Sequence, residues 1–242
     1  MLTAPLAPVL LAQAAWTKRT IPRLPTADAP WSGSLAGPDP IRLLVIGDST
    51  AAGVGVSSQD DALPGNIARE LKHRFERGTQ WRVVAESSVD LGGLLVRHLP
   101  ELVEEPADLL FVSIGIMDAI RLRSRTAFAR DLDALLTVLR RTSPDGLILV
   151  SRLPRFDQLR PFGEPLRTIL TRSTTALDGE LLRITAGVPG VFTVPTPTVY
   201  GPLRLAVDGL HPSATGYRDW IDHAFAELDD ELLSPLERTS GA

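Results

Sequence analysis

The sequence predicts a single layered α/β domain built on a largely parallel sheet of five strands. Short apolar runs alternate along the chain with segments of helical period, the order that sets helices between parallel strands. Each run is continuous in apolar residues rather than alternating with polar ones, as in strands covered on both faces. With 242 residues, 44% of them hydrophobic and 22% charged, the chain is long enough to bury one substantial core.

The predicted strands are IRLLVIG (41–47), WRVVAES (81–87), ADLLFVSIG (107–115), GLILVSRLP (146–154) and GVFTVPT (190–196). Between them Ile67, Leu71 and Phe75 recur at four-residue spacing, and Leu132, Leu135, Leu136 and Leu139 mark one buried helical face. Leu166, Leu170, Leu177, Leu181 and Ile184 mark a longer helix. The clearest stripe is Tyr217, Trp220, Ile221, Ala224, Phe225 and Leu228, with Pro212 and Ser213 just ahead as helix-start residues. In open sheets of this kind ligands bind outside the carboxyl ends of the strands, so the strand-end loops are the places to look for chemistry.

Residues 1–40 read as an apolar arm and a Pro-rich linker, 41–232 as the folded domain and 233–242 as a tail. The stretch MLTAPLAPVLLAQAAW is broken by Pro5 and Pro8, and its basic residues Lys18 and Arg19 follow it. It is short for a membrane span and lacks the basic start of a secretory signal, although Ala12-Gln13-Ala14 has the look of a cleavage site. Three readings stand: an arm packed on the domain, an interfacial helix giving peripheral membrane contact through residues 1–19, and a cleaved signal. The expected location is therefore cytoplasmic or peripheral to a membrane, with secretion left open.

A net charge of -4 offers no extended basic field, so nucleic acid is disfavoured as a partner and a small-molecule substrate is favoured. The absence of cysteine excludes disulfides, thiolate metal sites and a cysteine nucleophile. No cluster of His, Asp and Glu has metal-ligand spacing, and neither a metal nor an organic cofactor is expected. Nothing in the sequence sets the oligomeric state.

Two strand-end loops carry unusual chemistry. Gly47-Asp48-Ser49-Thr50 ends the first predicted strand, where a glycine permits a turn that presents the next side chains at the sheet's carboxyl edge. The following glycines, Gly53 and Gly55, match neither the dinucleotide nor the P-loop pattern. In VDGLHPSATGYRDW, Asp208 and His211 are three apart in a loop entering the last helix. That spacing lets a carboxylate hold one imidazole nitrogen while the other faces a nucleophile. A serine hydroxyl is a weak nucleophile until such a base takes its proton. Taken singly, Gly-Asp-Ser is a common turn and Asp-x-x-His a common local pair.

Together these stretches resemble the SGNH (GDSL-type) hydrolases, over roughly residues 41–230. The first block is matched by Gly47, Asp48 and Ser49, and the last by Asp208 and His211 with the surrounding GLHPSATGY. The resemblance implies a three-layer αβα flavodoxin-like fold and a Ser49–His211–Asp208 triad that cleaves carboxylic esters, lipid-like ones among them, through an acyl-enzyme. It also implies an oxyanion site made by the Ser49 N–H, a glycine N–H of a second block and an asparagine of a third, Gly-x-Asn-Asp. Here the third block is Gly115-Ile116-Met117-Asp118, and methionine has no donor to give. The second-block glycine falls at Ser88, with Gly92 or Gly93 serving if the loop is longer. A serine keeps the N–H, and its Cβ matters only where φ is positive. The sole asparagine, Asn66, lies at the start of the first helix. Losing one oxyanion donor costs on the order of 100- to 1000-fold in turnover, which leaves a weakened esterase as the expectation. A binding domain without activity, an O-acyltransferase and a carbohydrate deacetylase are the alternatives. Ile116, Met117 and Ile120, close together, favour an acyl chain over a sugar ring in the pocket.

Overall fold

A computed structural model describes residues 7–159, 161–196 and 203–237. The strands are β1 (Ser32–Leu35), β2 (Ile41–Gly47), β3 (Thr79–Ala85), β4 (Leu109–Ser113), β5 (Leu147–Ser151) and β6 (Val191–Val194). The helices are α1 (Ala7–Thr20), α2 (Leu63–Phe75), α3 (Leu91–Leu102), α4 (Ile116–Ile120), α5 (Arg125–Thr142), α6 (Leu166–Thr185), α7 (Ala214–Ala226) and α8 (Asp230–Leu233).

The sheet runs β1-β3-β2-β4-β5-β6, with β2 to β6 parallel and β1 antiparallel on the β3 edge. The five parallel strands thus have the flavodoxin order, whose switch point lies between β2 and β4. The expected five strands are all present, and the sixth corrects the count. Ser32-Gly33-Ser34-Leu35 carries no β-branched or aromatic residue, and it pairs with Thr79–Arg82 through backbone groups that any sequence possesses.

Alternate residues of each parallel strand serve two cores. Leu43, Val45, Phe111 and Leu149 meet Ile67 and Leu71 of α2 and Tyr217, Ile221 and Phe225 of α7. Leu44, Ile46, Val112 and Val150 meet Leu94 of α3, Leu132, Leu135 and Leu139 of α5, and Leu177 and Leu181 of α6 on the opposite side. This is why the runs lack polar alternation: neither face of the sheet is wet.

Both described ends of the chain pack on the domain. Helix α1 rests on α6 through Gln13, whose amide donates to the Glu164 carbonyl at 2.5 Å and accepts from the Leu166 N–H at 3.2 Å. Ala27 and Asp28, in the expected linker, donate to the Ala52 and Ser57 carbonyls at 3.1 and 3.0 Å. Leu233 and Leu236 are buried in the first core, and Arg77 donates to the Leu236 carbonyl at 2.6 Å.

Candidate active site

Strand β2 ends at Gly47, where a Cβ would lie 1.9 Å from the Ser113 carbonyl oxygen of β4. Only glycine lets the two strands stay this close as the chain turns out of the sheet. The Asp48 N–H then donates to that same carbonyl at 3.1 Å, which sets the next residue, Ser49, at the carboxyl edge of the sheet.

The opposing loop comes from the other end of the chain. Ser213 caps α7, its Oγ accepting from the Gly216 N–H at 3.2 Å and donating to the Leu203 carbonyl at 2.6 Å. Leu205 and Pro212 form an antiparallel bridge, so residues 205–212 make a closed loop with Asp208 and His211 on it. Gly55, at φ +106°, lets the two loops touch, because a Cβ there would sit 2.3 Å from the Pro212 carbonyl oxygen.

His211 Nε2 lies 2.9 Å from Ser49 Oγ, and His211 Nδ1 lies 2.6 Å from Asp208 Oδ2. The other carboxylate oxygen of Asp208 accepts from the N–H groups of Leu210 and His211 at 2.9 and 3.1 Å. Burial favours the protonated acid at Asp208, but the His211 ring and the Leu210 N–H outweigh it and hold the carboxyl below its ordinary value. An ionised Asp208 keeps the proton on Nδ1 and leaves Nε2 as the acceptor facing Ser49. The other described histidines stand apart; His98, on α3, faces Glu86 at 3.0 Å.

Asp48 is buried behind Ser49 and accepts from the Thr50 N–H at 3.2 Å. Burial pushes its carboxyl up to about 7, the Thr50 N–H and His211 opposing the rise and Asp118 adding to it. Asp118 is wholly buried and accepts from the Leu91 N–H at 3.0 Å and from Arg123 Nη1 at 2.8 Å. Burial raises its carboxyl even so. Asp118 therefore pins the third block to the start of α3.

A cavity of about 260 Å³ opens beside Ser49 and His211. Its walls come from Ile116, Met117 and Ile120 of α4, from Leu153, Phe156, Leu159 and Phe162 of the loop after β5, and from Leu210 and Trp220. Phe156 and Phe162 pack edge to face at 4.9 Å, and with Leu159 and Leu170 they form a third, smaller core. Asp178 of α6 ties this wall down by accepting from the Leu153 N–H at 3.0 Å and pairing with Arg152 at 2.6 Å. Sequence reading missed this wall, whose only signal is the apolar content of a Pro-rich loop.

The structure brings Asp48, Ser49, Ser88, Met117 and His211 together on the cavity, with Asp208 directly behind His211. Gly115 precedes α4 in a left-handed conformation. Gly92 falls elsewhere: it lies in the first turn of α3, where a Cβ would face Asp131 Oδ2 at 2.9 Å. Gly93 donates its N–H to the α3 cap Asp90 at 2.8 Å. Asn66 is spent locally, its amide donating to Ala62 and Asp61 carbonyls and accepting from Arg69. Ser88 has φ +66°, the positive value at which its Cβ matters, at a cost of about 1–3 kcal/mol. Among the described residues no group of three or more His, Asp or Glu side chains is placed to hold a metal ion.

The structure is thus a flavodoxin-order sheet with Ser49, His211 and Asp208 in hydrogen-bonded line at its carboxyl edge. A sequence profile of the GDSL-like lipase/acylhydrolase family matches residues 45–218, and the chain belongs to that family. A GDSL-like esterase of Mycobacterium tuberculosis, Rv1075c, is 26% identical over 215 residues, 83% of this chain. The chain spans 65% of the length of that curated relative. Among solved structures, a family 3 carbohydrate esterase of Clostridium thermocellum superposes with a TM-score of 0.60 at 15% identity, covering 80% of this chain and 98% of the other. The lipase Lip_vut3 from a goat rumen metagenome superposes at 0.59 and 15% identity, covering 77% and 96%. These structural likenesses concern the fold.

Proposed function

We propose that the protein hydrolyses acyl esters through a Ser49–His211–Asp208 triad and an acyl-enzyme. The supporting observation is the unbroken line from Ser49 Oγ to His211 Nε2 at 2.9 Å and from His211 Nδ1 to Asp208 Oδ2 at 2.6 Å, open to an apolar cavity. Ser49 Oγ attacks the ester carbonyl as His211 Nε2 takes its proton, and the tetrahedral oxyanion forms. His211 returns the proton to the leaving alkoxide, which departs as alcohol and leaves Ser49 acylated. Water, deprotonated by His211, then attacks the acyl-enzyme, and as the Ser49 Oγ–acyl bond breaks and the acid leaves, His211 returns the proton to Ser49 Oγ. Asp208 stays ionised and stabilises the imidazolium.

The oxyanion is held by the backbone N–H groups of Ser49 and Ser88, neither of which donates to another backbone group of the described residues. Met117 takes the place of a third donor and contributes apolar surface instead. The lining favours an acyl chain in the cavity, with the alcohol half toward the mouth. Lipid-like esters suit this reading. The exposed Leu11 and Trp16 of α1, beside Lys18 and Arg19, extend it to an in-plane contact with an anionic lipid surface. With 14 residues α1 is about 21 Å long, short of the roughly 30 Å of a bilayer core.

The test is p-nitrophenyl ester hydrolysis from acetate upward by the wild type and by Ser49→Ala, with fluorophosphonate labelling of the nucleophile. Hydrolysis and labelling that vanish in Ser49→Ala are expected. Equal rates for the two proteins would remove the triad, and product formed mainly by alcoholysis when an alcohol is supplied would make the enzyme a transferase. Vesicles rich in phosphatidylglycerol should retain the wild type and release Leu11→Asp/Trp16→Asp.

A further inference from the structure

We propose that the side chains of Ser113 and Ser151 form a polar subsite beside Ser49 that takes a hydroxyl borne by the acyl chain, which makes esters of hydroxy-substituted aliphatic acids the preferred substrates. The inference rests on the hydrolase reading above. Side chains along a strand point alternately to its two faces. On β4 Leu110, Val112 and Ile114 serve the second core, while Leu109 and Phe111 serve the first, which faces α2 and α7. Ser113, the last residue of β4, continues the face of Leu109 and Phe111. Ser151, the last residue of β5, likewise continues that of Leu147 and Leu149. The two strands pair in register up to Val112 and Val150, which sets Ser113 beside Ser151. Both side chains thus point to the α7 side of the cavity, where His211, Pro212 and Trp220 also line it. Leu153 of the apolar wall belongs to the second core, on the opposite side.

Ser113 and Ser151 are 7% and 3% exposed, and the catalytic steps above use neither. Ser151 Oγ donates to the Arg152 carbonyl at 3.0 Å and keeps its lone pairs. Ser113 Oγ has no hydrogen-bond partner among the described residues, so its donor and both lone pairs remain for a ligand. A substrate hydroxyl fits this pair, because it accepts from Ser113 and donates to Ser151. An ether oxygen only accepts. A methylene does neither and leaves a buried hydroxyl unpaired, which costs binding. The β2–β4 ladder sets Gly47 opposite Ser113, and Ser49 follows Gly47 by two residues. A hydroxyl held here therefore sits on a carbon close to the ester carbonyl, and the rest of the chain runs on along Met117, Ile120 and Phe156.

The ethyl esters of butyrate, 2-hydroxybutyrate and 3-hydroxybutyrate, followed by pH-stat titration, decide it. Each kcat/KM is divided by the rate of alkaline hydrolysis of the same ester, which removes differences in intrinsic reactivity. For the wild type the better hydroxy ester should then exceed butyrate by about tenfold, the worth of one well-made hydrogen bond. In Ser113→Ala that ratio should fall to near one, whatever the absolute rates, and in Ser151→Ala by about threefold. A purely structural role for Ser113 slows all three esters alike and leaves the ratio where it was. The methyl ether of the better hydroxy ester, which has no proton to donate, should lose most of the preference, and this comparison needs no variant. A wild-type ratio near one, an unchanged ratio in Ser113→Ala, or an ether as good as the alcohol would overturn the proposal. Those outcomes leave the hydrolase reading in place as long as Ser49→Ala is inactive on butyrate. If wild type and Ser49→Ala do not differ on any of the esters, the hydrolase reading falls and this inference with it.

Discussion

The Tyr217 hydroxyl donates to the carbonyl of Thr50, 167 residues earlier in the chain, at 3.1 Å, and to the carbonyl of Val54 at 2.8 Å. It is wholly buried, and burial raises its phenol well above the ordinary value, so it serves as a neutral donor. Through it α7, which follows directly on the His211 loop, bolts the turn that carries Ser49. Tyr217→Phe leaves two inward carbonyls without this partner and should cost about 1–3 kcal/mol. Urea unfolding should report that loss, and ester turnover should fall more than the stability alone explains, since the Ser49–His211 distance loosens.

Met117→Asn should raise kcat. A side-chain amide at this wall restores a donor type whose removal costs on the order of 100- to 1000-fold elsewhere, and recovery of about tenfold is a reasonable return in a site not otherwise shaped for it. Steady-state kinetics on p-nitrophenyl butyrate measures it. A rate equal to or below wild type would mean that the backbone donors already saturate the oxyanion.

Asp48 should make stability depend on pH. Its carboxyl rises from an ordinary 3.8 to about 7 on folding, so the folded state prefers the protonated acid. The stability this gives is complete below about 4 and is lost as pH climbs through about 7. Thermal unfolding between those limits should show a falling midpoint, and Asp48→Asn, which keeps an acceptor for the Thr50 N–H, should flatten the slope. An identical slope in the variant would assign the dependence to other groups.

Acyl-chain length should register in kcat/KM. Each methylene buried against Phe156, Phe162 and Met117 is worth about 0.8 kcal/mol, or roughly fourfold, until the cavity is filled. Ile120→Trp, placed at the partly exposed rim, should move the optimum to shorter esters with little change for acetate. A series that is flat from acetate to octanoate would place the acyl chain outside this cavity.

Much of the fold was legible because a parallel sheet writes itself in side chains: apart from the exposed Arg42 near the start of β2 and Ser113 at the end of β4, IRLLVIG and LLFVS are apolar on both faces. The residues of the proposed triad were legible because serine, histidine and aspartate leave local traces in Gly47-Asp48-Ser49 and Asp208-x-x-His211. Strand β1 was hidden because an edge strand needs only backbone, and Ser-Gly-Ser-Leu offers nothing else. The conformation of Ser88 was hidden for a related reason. A positive φ at a serine is settled by packing, and no spacing in the sequence records it.

The segment from Ala27 to Leu35 lies over both the nucleophile turn and the outer strand of the sheet. A chain cut to begin at Ile41 would keep every reactive side chain and still be a different object. Its β3 would offer a bare row of amides and carbonyls to any neighbouring molecule, and the Ala52 and Ser57 carbonyls would turn to water. Such a truncated protein should expose a longer edge, Thr79–Ala85 in place of Ser32–Leu35, and scatter more light at equal concentration than the full chain.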